Sequence, residues 1–241
     1  MTRAGVPSAE VSGAGLPGAG LPGAGLPGAD VPDRRGRTGL DRVGLDLTGN
    51  PRVRVRDVRL LTSNWYVTRV TQLDYQRADG TWTEQERETY DRGNGACVLL
   101  YDRSARTVLL TRQFRYPAYV NGHPDGNLIE TPAGLLDDDE PLAAIRREAE
   151  EETGYAIGEV EHVFDVYMSP GSVTEMLHFY AAPFDADVRA SVGGGLEDEG
   201  EEIEVLIVDI DDALARIGVD IIDAKTIMLL QWAALTGPFA R

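Results

Sequence analysis

Residues 128–155 read LIETPAGLLDDDEPLAAIRREAEEETGY, and the acids near the end of this stretch have the types and spacing to do chemistry. Glu148 and Glu152 are four residues apart, which on a helix stacks them on one face. Like charges so placed destabilise an isolated helix by roughly 0.2–0.5 kcal/mol, and acids near a helix C-terminus also oppose its dipole. A helix made only for solubility carries Lys or Arg there. Two local rules broken at one spot mark a functional site, and clustered hard oxygen ligands suit Mg²⁺, Mn²⁺ or Ca²⁺ rather than zinc. The competing reading is a solvated acidic face. Both readings expect the metal-free protein to gain a few tenths of a kcal/mol when Glu152 loses its charge. Arg147, four residues before Glu151, is spaced to pair with that carboxylate and orient it.

The element that must position these acids is a helix over about 140–153. Pro141 fits its first turn, where a missing N–H costs nothing, and Asp139 and Glu140 sit at its positive end. Leu142, Ile145 and Ala149 recur at three and four residues and form the expected buried stripe. Gly154 is placed to end the helix in a left-handed conformation.

Around this helix the chain has 241 residues and a formal charge of −17, which excludes nucleic-acid binding because phosphate contacts need Lys and Arg. The same charge means that an anionic substrate needs cations to mediate its approach. The single cysteine, Cys97, rules out an intramolecular disulfide and a Cys-rich zinc site. His123, His162 and His178 show no metal-ligand spacing and are expected in ordinary core or surface roles. No apolar run reaches the ~18–20 residues of a membrane span, and the N-terminus lacks a secretory core, so the expected location is the cytoplasm.

Three copies of GAGLP occupy 13–27, and Gly and Pro at that density cannot bury enough surface to order the chain. Residues 1–45 are therefore expected to be a disordered tail and linker. From Val53 the alternation in VRVRDVRLL, then NWYVTRVTQLDY, an Ala-Asp-Gly turn and TWTEQERETYDR predict three antiparallel strands, a small β subdomain over 50–93. From 94 to 241 the pattern is a larger α/β domain. Buried strands are expected at GACVLLYD and TVLLTRQF, further strands at EVEHVFDVYM, MLHFYAAPF and EIEVLIVDI, and helices near 211–217 and 224–235. Strands mixed with a few helices on either side predict an α/β sandwich.

The stretch GLLDDDEPLAAIRREAEEETGY resembles the Nudix box, Gly, five residues, Glu, seven residues, then Arg-Glu-apolar-any-Glu-Glu-any-Gly-apolar. Residues 147–155 match its second half in full, whereas only six residues separate Glu140 from Arg147. That shortened spacing is similar to the GDP-mannose hydrolase branch, as are YDRGNGA (90–96), RQFR (112–115), YMSPG (167–171) and GGGLEDE (193–199). The resemblance covers roughly residues 55–236.

It implies a Nudix α/β/α sandwich with a mixed sheet, preceded by the small antiparallel sheet, and a homodimer of the domain-swapped kind. It further implies Mg²⁺-dependent hydrolysis of a nucleoside diphosphate sugar, with Mn²⁺ as a substitute: GDP-mannose to GMP and mannose 1-phosphate, or alternatively ADP-ribose or another sugar nucleotide. The metal ligands carried over are the carbonyl of Ala133 and the carboxylates of Glu148, Glu152 and Glu199, with Glu199 positioning or deprotonating the water. Glu151 and Arg147 complete the catalytic set. Substrate contacts carry over to Trp65 for the base, Glu86, Arg87 and Glu88, Arg115 for a phosphate, Ala133, Gly134 and Leu135 at the diphosphate, and Glu175, Asp198 and Lys225. Alternatives stand beside these: Trp65 as a core residue, Arg115 as a surface ion pair, Glu199 in a solvated turn. Two whole-protein rivals are a Nudix fold used as a ligand sensor and an acidic interaction protein.

Overall fold

The computed structural model describes residues 49–64, 66–136, 140–195 and 202–240. The Gly/Pro repeat, Trp65, Asp139, Asp198 and Glu199 lie outside the described residues. β1 (Val53–Ser63), β2 (Val67–Gln76) and β3 (Trp82–Asp91) make an antiparallel sheet in that order, as the alternation predicts. One ion pair is fully buried at its end. Arg69 on β2 meets Asp91 on β3 at 2.8 Å, and Asp91 also accepts from Gly93 N and Thr174 Oγ1.

The chain continues as β4 (Gly95–Asp102), β5 (Thr107–Phe114), α1 (Tyr116–Val120), β6 (Asn127–Glu130) and β7 (Ala133–Leu135). Then come α2 (Pro141–Thr153), β8 (Tyr155–Ile157), β9 (Glu161–Tyr167), β10 (Met176–Arg189), β11 (Glu204–Asp209), α3 (Ile210–Ala215) and α4 (Ala224–Leu235). These strands form one mixed sheet in the order β11-β5-β4-β10-β8, with β6 on β5, β7 on β4 and β9 on β10. β4 and β10 run parallel, Gly95 opposite Leu177.

β4 is central, and its two faces explain its unbroken apolar run. Ala96, Val98 and Leu100 pack towards Ala144, Ile145 and Ala149 of α2. Cys97 and Leu99 pack on the opposite face towards Ile210 and Ala213 of α3 and Leu229, Leu230 and Ala233 of α4. Each buried Val, Leu or Ile side chain among these stabilises the fold by about 1.5–3 kcal/mol. The result is the expected α/β/α sandwich.

One detail differs from the sequence reading. Leu142 is exposed, and the buried arc of α2 runs instead through Ala144, Ile145, Ala149, Glu152 and Thr153, on the turns that face β4 and β7. Gly134 and Leu135 lie on β7, which pairs with β4. The helix ends are as predicted: Pro141 opens α2, and Gly154 closes it at φ 75°, donating its N–H to Glu150.

Candidate active site

α2 lies across β7, and the contact depends on a missing side chain. A Cβ on Gly134 would fall 2.4 Å from Glu148 Cγ, so only glycine lets that carboxylate rest on the strand. Ala133, Gly134 and Leu135 are held in register against Cys97, Ala96 and Gly95. Arg147 reaches Glu148 at 3.1 Å and Glu151 at 3.3 Å, so it orients both, one more carboxylate than its spacing suggested. One turn further on, Glu152 is only 5% exposed, so it is not part of a solvated face.

Among the charges that act on one another here are Glu152 and Arg115, the latter just beyond β5. Arg115 donates to Glu130 at 2.7 Å, and Glu130 accepts from Lys225 Nζ at 2.9 Å. Lys225 also meets Asp223 at 3.0 Å, while Asp223 caps α4 by accepting from Thr226 N–H. Burial alone would push the Glu130 carboxyl up, but Lys225 and then Arg115 outweigh it and hold it below the usual range. The same partners keep Lys225 charged: burial lowers its pKa, and Glu130 and Asp223 more than restore it.

Glu175 closes the other side. It is buried beside Gly95, 3.6 Å from where a Cβ would stand, and Arg92 meets it at 3.3 Å. Burial pushes its carboxyl up, and Arg92 and Lys225 only partly offset this. Sequence reasoning missed Glu130, Asp223 and Arg92. The one local signal was Glu130, a charged residue ending the short apolar run Asn-Leu-Ile-Glu.

The glycine run explains how acids stand at the end of α2. Gly193, Gly194 and Gly195 all have positive φ. The N–H of Gly194 donates to Glu152 O at 2.8 Å, and that of Gly195 to Glu151 O at 3.4 Å. These amides satisfy carbonyls that a free helix end leaves without partners. Ile203 N–H donates to Gly194 O at 3.1 Å, which brings Ile203 beside the turn that closes α2.

The structure thus brings Arg115, Ala133, Gly134, Leu135, Arg147, Glu148, Glu151, Glu152, Glu175 and Lys225 into one region. It does not bring Glu86, Arg87 and Glu88 there within the described chain. They are exposed on β3, where Arg87 donates to Gln85 and Glu86 accepts from Gln72. As for a metal, the carboxylates of Glu148 and Glu152 beside β7 offer oxygen alone, and the space over Gly134 is shaped for Glu148. That donor set fits a hard divalent cation.

A second group is unexpected. His162, Asp165 and His178, read as having no metal-ligand spacing, come together on β9 and β10 with their ligand atoms within 4.8 Å of one another.

Sandwich, glycine-cradled acidic helix and buried cation network define a Nudix protein, and the model of the NUDIX domain matches residues 91–230. The chain belongs to the Nudix hydrolase family and is an enzyme of that class. Residues 52–90 match the GDP-mannose pyrophosphatase NudK N-terminal domain. The chain is 51% identical over 190 residues to the GDP-mannose pyrophosphatase of Pectobacterium atrosepticum, covering 78% of this chain and 97% of the relative. It is 52% identical over 180 residues to that of Cronobacter sakazakii, covering 74% and 93%. Among solved structures, an ADP compounds hydrolase superposes with a TM-score of 0.56 at 18% identity, over 76% of this chain and 94% of that one, a likeness of fold alone. Among the described residues no helix is long and apolar enough to cross a membrane.

Proposed function

We propose that this protein hydrolyses GDP-mannose to GMP and mannose 1-phosphate in the cytoplasm, with Mg²⁺ bound by Glu148, Glu152, Glu199 and the carbonyl of Ala133. The observation that carries the reading is identity near 50% over almost the whole length of GDP-mannose pyrophosphatases, through both the N-terminal sheet and the catalytic helix. What Mg²⁺ supplies when bound is neutralisation of the diphosphate and acidification of a water.

The side chains do the rest. Arg147 keeps Glu148 and Glu151 from turning into solvent. Arg115, fixed by Glu130, presents its guanidinium to a phosphate, where a planar fork binds best. Lys225 stays charged and holds Glu130, so it acts on the phosphate through Arg115. Glu175 borders β4 and β7 where the diphosphate would approach the backbone of residues 133–135. Glu199 and Asp198 follow Gly195 in the sequence, and the described residues on either side, Gly194 and Ile203, meet beside the end of α2, which supports a role for Glu199 on the attacking water. Trp65 stacks on the base.

The working form is a homodimer. Val55, Val58 and Leu61 leave more than a third of their surface exposed on β1, apolar area that a second copy would cover. Glu86, Arg87 and Glu88 would then contact substrate held by the other copy. Incubating the protein with a panel of sugar nucleotides and Mg²⁺, with products identified by mass, tests the assignment. GMP and mannose 1-phosphate as the fastest-formed pair support it. Faster turnover of ADP-ribose, or equal turnover in excess chelator, would overturn it.

A further inference from the structure

Side chains alternate along a strand, so His162 and Asp165, three apart on β9, should point to opposite faces. A bulge reverses this. β10 pairs Phe179 with Phe164 and Tyr180 with His162, leaving Val163 as the extra residue. Val163 and Phe164 both pack into the core beneath α3 and α4, and His162 and Asp165, opposite Tyr180 and His178 in the register, share the face on which Tyr180 packs with the α2 cluster. His178 stands directly across from Asp165 in the register. His162 Nε2 and His178 Nδ1 each lie 2.8 Å from the same oxygen, Asp165 Oδ1.

This trio is separate from the acidic site. The row Asp165, His178, Ala96, Gly134 crosses three strand spacings, which puts Asp165 about 14 Å from Gly134. His178 is the most buried member, and the ring of Tyr180 meets His162 edge-on at 5.5 Å, which restricts how that imidazole turns. The hydrogen bond from His162, then that from His178, holds the Asp165 carboxyl below its usual range against a small burial effect.

We propose that His162, Asp165 and His178 bind one borderline divalent transition-metal ion, of the Zn²⁺, Co²⁺ or Ni²⁺ class. Two imidazoles and a carboxylate favour such ions, whereas Mg²⁺ prefers oxygen alone. The metal meets the two ring nitrogens that now face Asp165, each neutral imidazole carrying its proton on its other nitrogen when ligated, so the rings need little movement. Exposure of His162 and Asp165 leaves remaining coordination positions to water. Its structural effect is to clamp β9 to β10 at the bulge, on either side of the loop that leads to Glu175.

The test uses untagged full-length protein, stripped with a chelator and returned to buffer containing millimolar Mg²⁺, then titrated with Co²⁺. Calorimetry should show one equivalent bound, with visible d–d bands of a nitrogen-ligated ion. Affinity should fall roughly tenfold or more in His162→Gln and in Asp165→Asn, and stay unchanged in Glu148→Gln. Zn²⁺ should raise the thermal midpoint of the parent and not that of His162→Gln, a comparison made within each protein. Equal Co²⁺ affinity in the parent and both cluster variants would overturn the proposal, as would loss of the Co²⁺ bands in Glu148→Gln.

Discussion

At Glu152, burial changes what a mutation should do. On a wet helix face its removal would relieve repulsion from Glu148, the small gain that sequence spacing alone predicts. Buried, it lies instead within the field of Arg115, whose ion-pair partner is Glu130. Glu152→Gln should therefore lower stability by about 1 kcal/mol in chelator. It should also reduce turnover at saturating Mg²⁺ by roughly 100-fold or more, since loss of a mere supporting partner of a metal ligand costs 10–100-fold. Denaturant unfolding and kcat on the same sample check both signs.

Glu130 makes the complementary case. Glu130→Gln leaves Lys225 buried with Asp223 alone, and breaking such a pair costs about 3–5 kcal/mol. Because the folded carboxyl lies below its ordinary 4.5, its contribution is fully present above that pH and is lost as pH falls below it. Unfolding free energies near pH 7 and about pH 3 should thus differ less in the variant than in the parent.

Among the elements, the turn at residues 193–195 caps α2 and precedes in sequence the residues proposed to act on the water. A Cβ on Gly193 would meet the backbone carbon of Thr153 at 2.6 Å, and its φ of 71° disfavours any L side chain. Gly193→Ala should cost at least about 1–2 kcal/mol and lower turnover as well, since Glu199, the proposed ligand, follows this turn in the sequence. A variant with parental midpoint and parental kcat would show that the cap does not position that segment.

The long strands and α2 were legible because burial on one or both faces writes a period into eight or more residues. β6, β7 and β8 are only three or four residues long and carry no period. Glu148 and Glu152 could be read because they are neighbours on one helix. Glu130 could not, since its partner Lys225 lies 95 residues away and nothing local records the pairing. The histidines failed for a related reason: a bulge, invisible in sequence, turned a three-residue spacing into a shared face.

For the molecule as a whole, the repeats ahead of residue 45 have almost no apolar surface to bury. Deleting residues 1–45 should leave kcat within about twofold and the thermal midpoint nearly unchanged, because stability tracks buried surface. A fall in either measurement would mean that the tail docks on the folded part. A different consequence follows from the parallel pairing of β4 with β10. Asn94 Oδ1 accepts from Met176 N–H across 82 residues of chain. At ribosomal rates of about 5–20 residues per second, the N-terminal strand of that pair waits roughly 4–16 s for its neighbour to be synthesised. During that interval Ala-Cys-Val-Leu-Leu lacks the strand on one of its two sides, and that bare edge is open to misassociation. Glu175, immediately before β10, reaches its place beside Gly95 only when this late closure occurs, so the candidate site is among the last parts of the enzyme to exist.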